Sequence, residues 1–530
     1  MKRLTIIFLT MVMTSTINAQ KPSQLFFSGV RLPNGDTTFL RSYTLTPAAD
    51  LFFITRFDKP LMQKLQELSP GTSSDTLIRY GNFQFTLLVD GKKIYESNLW
   101  PGAPDKRTID SATLLNRALI DNKNGSGSWS ESFWNRFARS GGAAALSDGL
   151  HILKMEIRPY LTYAGETKTG KLMAAGELPL QVINNPPVDL SQIRINTPRD
   201  YDGLPVSGEY YDTSLIKELK GKIAAGVFKR ITSIAVIKNG KLLIEEYFNG
   251  ANRETLHNTR SVGKSFASTL TGMAIADGHL SGELENLGSI YQLDTFANYH
   301  TGKTNTTLRE LLTMSTGFDG FDEDPNSPGN EENMYPTANW VKFALDLPWR
   351  EEMRGRWHYF TAGVVILGDV LNRRVPGGLK AYADEKLFKP LGIKNYQWQF
   401  TPQEVPNTAG GIQMNTLDFA KYGLLYKNNG RWKNNQLLTE SWIKASFTPQ
   451  KKIEGRNEEY YGYLFWNKSF PSGTKKYEAF YCAGNGGNYI VVFKDQPLVI
   501  VITATAYGQY YAHPQSNRIL SEYLLPSLIR

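Results

Sequence analysis

The chain has 530 residues, of which 41% are apolar and 21% charged, with a formal charge of +9. That length is too great for one ordinary domain and suits two or three. The mild positive charge carries no long basic run, so nucleic acid is not an expected partner, and a solvated surface accounts for it. The single cysteine, Cys482, excludes an intrachain disulfide and a thiolate metal cage.

The first residues read as a signal peptide. Lys2-Arg3 is followed by an apolar run from Leu4 to about Val12 and small polar residues ending at Ala19. Cleavage after Ala19 would remove Lys2 and Arg3 and lower the +9 to +7. The apolar run is too short to span a bilayer comfortably, and no later segment is long and apolar enough. An exported chain without disulfides fits a bacterial periplasm or medium, with no stable membrane anchor.

Residues 20–184 read as an all-β sandwich domain. Phe83–Leu87 alternates apolar and polar positions, Asp90-Gly91 makes a turn, and Lys93–Glu96 returns. His151–Arg158 puts Leu153, Met155 and Ile157 on one face and charges on the other. Residues 185–205, polar and carrying Pro186-Pro187, read as a linker. From 206 to 530 the pattern changes to α+β: an antiparallel sheet flanked by helices. Asp212–Ala225 is helical, with Leu215, Ile216, Leu219 and Ile223 on one side. Asn239-Gly240 between two apolar runs predicts a hairpin. Tyr489–Phe493 and Leu498–Thr505 form another strand pair, and a last helix runs from about His513 to Ile529.

The chemistry centres on TRSVGKSFASTL, residues 259–270. Its Gly-Lys-Ser ending is that of a phosphate-binding loop, but the glycine required five residues earlier is Asn258. Gly484-Asn-Gly-Gly487 likewise misses the dinucleotide fingerprint, because its third glycine would be Tyr489. The remaining reading is a serine and a lysine three apart. Four such pairs occur: Ser214-Lys217, Ser261-Lys264, Ser441-Lys444 and Ser472-Lys475. Only Ser261 follows a hairpin and opens a helix with an apolar stripe, Val262, Phe266, Leu270 and Met273. Ser261 and Lys264, one turn apart, point the same way. The helix N-terminus favours a developing oxyanion and a usable amine.

This stretch resembles the nucleophile motif of serine β-lactamases and penicillin-binding proteins. The likeness is greatest to the esterase, D-peptidase and aminohexanoate-oligomer hydrolase branch. It extends from about 210 to 530 and includes Leu308–Gly317 (LRELLTMSTG), Leu387–Ile393 (LFKPLGI) and Gly410–Lys421. The resemblance implies that Tyr359, in Trp357-His-Tyr-Phe-Thr361, relays the proton from Ser261 to the leaving group. Whether Lys264 or Tyr359 is the primary base stays open. Thr361 stands where the family usually has Asn or Ser. Where the family has Lys-Thr-Gly or His-x-Gly, this chain has Gly484-Asn485-Gly486-Gly487-Asn488. The match implies an oxyanion hole from the N–H groups of Ser261 and Asn488. Thr361, Asn485, Gly486 and Gly487 would then meet the substrate.

The implied activity is an acyl-enzyme hydrolase acting on a small-molecule or peptide-like ester or amide, esterase-like in character, with no cofactor and no metal. Neutral Asn485, where a cation would hold a substrate carboxylate, favours uncharged acyl substrates over β-lactams. The alternatives are D-peptidase or β-lactamase activity, or an inactive binding protein of the same fold. A Ser-His-Asp site is the nearest chemical rival, with Ser315 in Thr313-Met-Ser-Thr-Gly317 and His358 beside the tyrosine. No His-Glu-x-x-His occurs. The sequence leaves open the exact substrate, the role of the β-domain and the oligomeric state.

Overall fold

The structure is a computed structural model that describes residues 22–529 apart from 33–38, 100–104, 123–128, 164 and 325. The segment read as a signal peptide, 1–19, lies outside the described residues. The chain divides into two compact units, residues 1–186 and 187–530.

In the first unit nine strands pair into one connected sheet. They are β1 (Ser23–Ser28), β2 (Tyr43–Leu45), β3 (Leu51–Arg56), β4 (Gly81–Val89), β5 (Lys92–Asn98), β6 (Leu114–Ile120), β7 (Gly149–Tyr163), β8 (Glu166–Thr169) and β9 (Ala174–Val182). The main path is β5-β4-β7-β9-β1-β3-β6, with β2 on β9 and β8 on β7. A short parallel pairing of β1 with β9 joins the β3–β6 half to the rest. Asp90 and Gly91, both at positive φ, turn β4 into β5. Leu153, Met155 and Ile157 of β7 are fully enclosed, as their alternation requires.

The unit departs from an all-β sandwich in one respect. Helices Leu61–Leu68, Ser74–Tyr80 and Trp129–Phe137 put Leu61, Leu65, Leu77, Phe133 and Phe137 into the same core as the strands. Each is at most nine residues long, two turns or so, which leaves too few repeats for helical periodicity to stand out in sequence.

The second unit is built on an eight-stranded antiparallel sheet. Its strands are β10 (Ile231–Lys238), β11 (Lys241–Tyr247), β12 (Lys451–Lys452), β13 (Tyr460–Tyr461), β14 (Trp466–Ser472), β15 (Lys475–Gly484), β16 (Asn488–Phe493) and β17 (Leu498–Ala504). They lie in the order β11-β10-β17-β16-β15-β14-β13-β12. Asn239 and Gly240 at positive φ make the predicted turn between β10 and β11. Both faces of the central strands are apolar, so period-two alternation sends neighbours to different cores. Ala235, Ile237, Ile490, Val492, Val499 and Val501 join one core, which includes the helices Gly263–Ala276, Thr361–Arg374 and Thr416–Lys427. Ile234, Val236, Val491, Ile500 and Ile502 join the other, under the helix Thr213–Ala224 and the C-terminal helical run 512–528.

The stretch expected to be a linker is largely an ordered part of this second unit. The Asn196 N–H donates to Glu246 at 2.9 Å, and Arg253 donates to the carbonyl of Arg199 at 2.6 Å. Asn415 donates to the Tyr201 hydroxyl at 2.9 Å, and Leu204 is fully buried. Prolines and polar side chains mark the absence of regular structure, but the backbone groups they leave unpaired find partners on the neighbouring surface.

Candidate active site

Ser261 sits on a tight entry into the buried helix Gly263–Ala276. The chain runs through the short strand His257–Asn258, then Arg260 at φ 54°, then one 3₁₀ turn, Arg260–Val262. A left-handed arginine immediately before a serine is a strained arrangement, of the kind concentrated at functional sites. The end of β15 presses on this turn. A Cβ on Gly484 would lie 1.9 Å from the Thr259 carbonyl oxygen and 3.2 Å from the Ser261 nitrogen, so only glycine fits there.

Lys264, one turn on, is 1% exposed. Its ammonium donates to Ser261 Oγ at 2.8 Å and to the Ala409 carbonyl at 2.7 Å. The 409–411 loop comes this close because Gly263 and Gly410 face each other; a Cβ on Gly263 would lie only 3.1 Å from the Gly410 Cα. Lys264 Nζ also lies 5.2 Å from the centre of the Tyr359 ring.

Tyr359 reaches the site from the segment preceding the helix Thr361–Arg374. The Asp322 N–H donates to the Tyr359 carbonyl at 2.8 Å, and the His358 N–H to the Met314 carbonyl at 3.0 Å. The ring stacks on Trp466 with centroids 5.7 Å apart. Dense surroundings push the Tyr359 hydroxyl pKa up, while the Lys264 charge and the hydrogen bond to Ser261 pull it down. The three residues predicted to act together are therefore in mutual contact.

The other expected residues divide. Asn485 lines the cavity above Ser261. Its side-chain oxygen accepts the Gly508 N–H at 2.8 Å. Asn488 does not line it: the residue is wholly enclosed, its amide donating to the Asn485 carbonyl at 2.8 Å and accepting the Ala504 N–H at 2.9 Å. Gly486 and Gly487 turn the hairpin at positive φ. A Cβ on Gly486 would meet Tyr507, and one on Gly487 would meet Ala512 and Ser516, so neither position has room for a side chain. Thr361 is fully buried and its N–H donates to Asp322 at 2.8 Å. A glycine-rich motif read along the chain does not reveal which of its residues the turn directs outward, and that direction separates Asn485 from its neighbours.

The rival serine is enclosed. Ser315 is 1% exposed and its hydroxyl is shared with Thr313 at 2.8 Å. His358 is buried against the Arg356 carbonyl at 3.1 Å, and burial pushes its pKa down to about 4. Among the described residues no group of three or more His, Cys, Asp or Glu is placed to hold a metal ion, and no helix is long and apolar enough to cross a membrane.

Several site residues are not singled out by the sequence reading. The cavity is about 440 Å³ and its lining includes Arg260, Ser261, Glu331, Glu332, Tyr335 and Trp340. Asp322 stands behind Tyr359, accepting the N–H groups of Thr361 and Glu331 at 2.8 and 2.9 Å. Burial pushes its pKa up to about 6. The acidic stretch from Asp322 to Glu332 was the available clue, but acidic loops usually face solvent.

The family model described as Beta-lactamase matches residues 220–519, more than half of the chain. Among solved structures, a penicillin-binding protein homologue from Caulobacter crescentus is 16% identical, covering 60% of this chain and 99% of its own, with a TM-score of 0.47. An octameric penicillin-binding protein homologue from Pyrococcus abyssi is 19% identical, covering 58% of this chain and 77% of its own, with a TM-score of 0.45. EstCE1, a hydrolase with promiscuous acyltransferase activity, is 13% identical, covering 58% and 98%, with a TM-score of 0.48. No curated protein matches. On the family model, the chain belongs to the Beta-lactamase family.

Proposed function

We propose that the chain is an exported serine hydrolase that cleaves ester or amide bonds through an acyl-enzyme on Ser261. The observation that carries this reading is the contact of Ser261 Oγ with the Lys264 ammonium at 2.8 Å, beside Tyr359 and beneath an open cavity. In the reactive state the Lys264–Tyr359 pair is one proton short, with either the amine or the phenol deprotonated; Ser261 Oγ bonds to the substrate carbonyl carbon as its proton passes to that group. The tetrahedral oxyanion collapses, the carbonyl re-forms, and the bond to the leaving oxygen or nitrogen breaks as that atom takes the proton. Water then repeats the sequence on the acyl-enzyme and releases the acid.

The Ser261 N–H is one proposed oxyanion donor. The second is assigned to the hairpin after Gly484. Asn485 faces the cavity whereas Asn488 is enclosed, so the Asn485 end is favoured over the Asn488 N–H that the family match suggested. The substrate proposed is not anionic. Asn485 is neutral, and Arg356 is already paired with Glu454 at 2.6 Å. Arg260 lines the cavity but lies over the Tyr507 ring at 4.5 Å. Weak β-lactam hydrolysis follows from this lining.

Fluorophosphonate labelling and intact mass tests the nucleophile. The adduct is expected on the peptide bearing Ser261 and absent from Ser261→Ala; an adduct on Ser315 overturns the assignment. Tyr359→Phe keeps the ring against Trp466 and is expected to lower turnover by ~10²–10⁴. Comparing a short-chain nitrophenyl ester with a cephalosporin tests the substrate class, and efficient cephalosporin turnover overturns it.

A further inference from the structure

The cavity over Ser261 has a wall that acyl transfer itself does not use. Glu331 and Glu332 open the short helix Glu331–Met334, and both line the cavity with Tyr335 and Trp340. Among the described residues neither carboxylate is ion-paired with a lysine, arginine or histidine. Glu331 accepts a hydrogen bond from the Tyr335 hydroxyl at 2.7 Å, which leaves its charge uncancelled. The Tyr335 and Trp340 rings meet edge to face with centroids 5.4 Å apart. Backbone geometry anchors this wall to the reacting groups. Asp322 accepts the Glu331 N–H with one oxygen and the Thr361 N–H with the other, and donates its own N–H to the Tyr359 carbonyl. The wall therefore stands at a fixed distance from Tyr359 and, through it, from Ser261.

Uncancelled carboxylates in a partly enclosed cavity concentrate negative potential there and raise the local concentration of cations. Adjacent aromatic rings add a second attraction specific to cations, through their negative faces. A neutral acyl chain gains nothing from the two carboxylates, and an anionic one is repelled by them. Both features call for the same ligand chemistry.

We propose that the substrate is an ester or amide that also carries a cationic amine, received by Glu331 and Glu332 between Tyr335 and Trp340 while Ser261 attacks the carbonyl. This rests on the reading of Ser261 as the nucleophile and names the substrate class of that site. Arg260, on the nucleophile's own turn, is drawn onto Tyr507 and does not pair with the acidic wall. Lys264 is held beneath the serine by Ser261 and Ala409.

The test compares kcat/KM for matched pairs of esters in the full-length protein. One pair is a series of nitrophenyl esters of ω-amino acids against alkanoic esters of equal chain length. The other is acetate esters of amino alcohols against those of matched alkanols, so that the amine is tried on each side of the scissile bond. At low salt, in at least one pair, the amine-bearing ester is expected to be favoured by roughly tenfold or more, the scale of one charge-assisted contact. Glu331→Gln and Glu332→Gln should each lower that ratio, and the double variant should bring it near one. Using the ratio within each variant removes any general loss of activity. If the double variant does not fold, the exposed Glu332→Gln carries the test alone. A ratio near one in the parent protein for both pairs, or a ratio that the substitutions leave unmoved, overturns the proposal. Turnover of the neutral esters that vanishes in Ser261→Ala would leave the hydrolase reading standing in that event, whereas no turnover of any ester would sink the hydrolase reading itself.

Discussion

Replacing Lys264 by methionine separates catalysis from stability. The side chain is 1% exposed and its ammonium makes two hydrogen bonds, to Ser261 Oγ at 2.8 Å and the Ala409 carbonyl at 2.7 Å. No carboxylate is ion-paired with it among the described residues. Hydrogen bonds to a charged group are worth roughly 1.5–3 kcal/mol each, so two of them supply about 3–6 kcal/mol. Holding an unpaired ammonium away from water costs several kcal/mol, a term of the same size and opposite sign. Methionine has nearly the same length and fills the space without a charge. The expected stability change is therefore small, within about 2 kcal/mol in either direction. Activity should behave differently. The substitution removes both a partner in proton transfer and the positive charge beside the serine oxygen, so a loss of at least about 10²-fold is expected. Nitrophenyl ester kinetics and the rate of fluorophosphonate labelling measure the first effect, and denaturant unfolding measures the second. A folded Lys264→Met protein that keeps activity within a few-fold of the parent would refute the role given to this lysine. A loss of stability far beyond 2 kcal/mol would show instead that the ammonium's bonds outweigh its burial.

Three further outcomes follow from the geometry. Gly484→Ala would put a methyl 1.9 Å from the Thr259 carbonyl and 3.2 Å from the Ser261 nitrogen. It should lower stability by about 1–3 kcal/mol and activity by more than tenfold, read by unfolding and ester kinetics; an unperturbed variant would show that the strand end is not fixed against the nucleophile. Burial raises the Asp322 pKa from 3.8 to about 6 in the fold, so below 3.8 both states are protonated and no penalty exists. As pH rises from 3.8 to 6 the unfolded chain ionises first and stability falls, by at most roughly 3 kcal/mol, less to the extent that solvent reaches the carboxylate. The stability of Asp322→Asn relative to the parent should therefore improve between pH 4 and pH 7, and a flat difference in unfolding free energy would contradict the assignment. Finally, a fragment starting at 187 should be the more stable of two truncations. One starting at 206 loses Tyr201, with its bonds to Asn415 and Asp418, and the buried Leu204, worth roughly 2–3 kcal/mol for the leucine alone. Equal melting temperatures would return 187–205 to the status of a linker.

Local rules in the sequence determined much of this protein. The Asn239-Gly240 turn, the alternation of β7 and the helix Thr213–Ala224 depend on neighbours two to four residues apart, and each is where that periodicity puts it. The pairing of Ser261 with Lys264 is equally local, since one helical turn is enough to bring them to 2.8 Å. Tyr359 came from the order of motifs along the chain, not from any local rule. Tertiary structure alone decided the rest. The Ala409 carbonyl reaches Lys264 across 145 residues because two glycines let their backbones touch. Asn485 faces the cavity and Asn488 is enclosed because two glycines at positive φ, Gly486 and Gly487, reverse the chain between them. Glu331 is brought beside Tyr359 because Asp322 accepts its N–H while donating to the Tyr359 carbonyl, a link no local rule specifies. Such contacts are formed by residues that share no periodicity, so the physical interaction that creates them exists only once the chain has closed on itself.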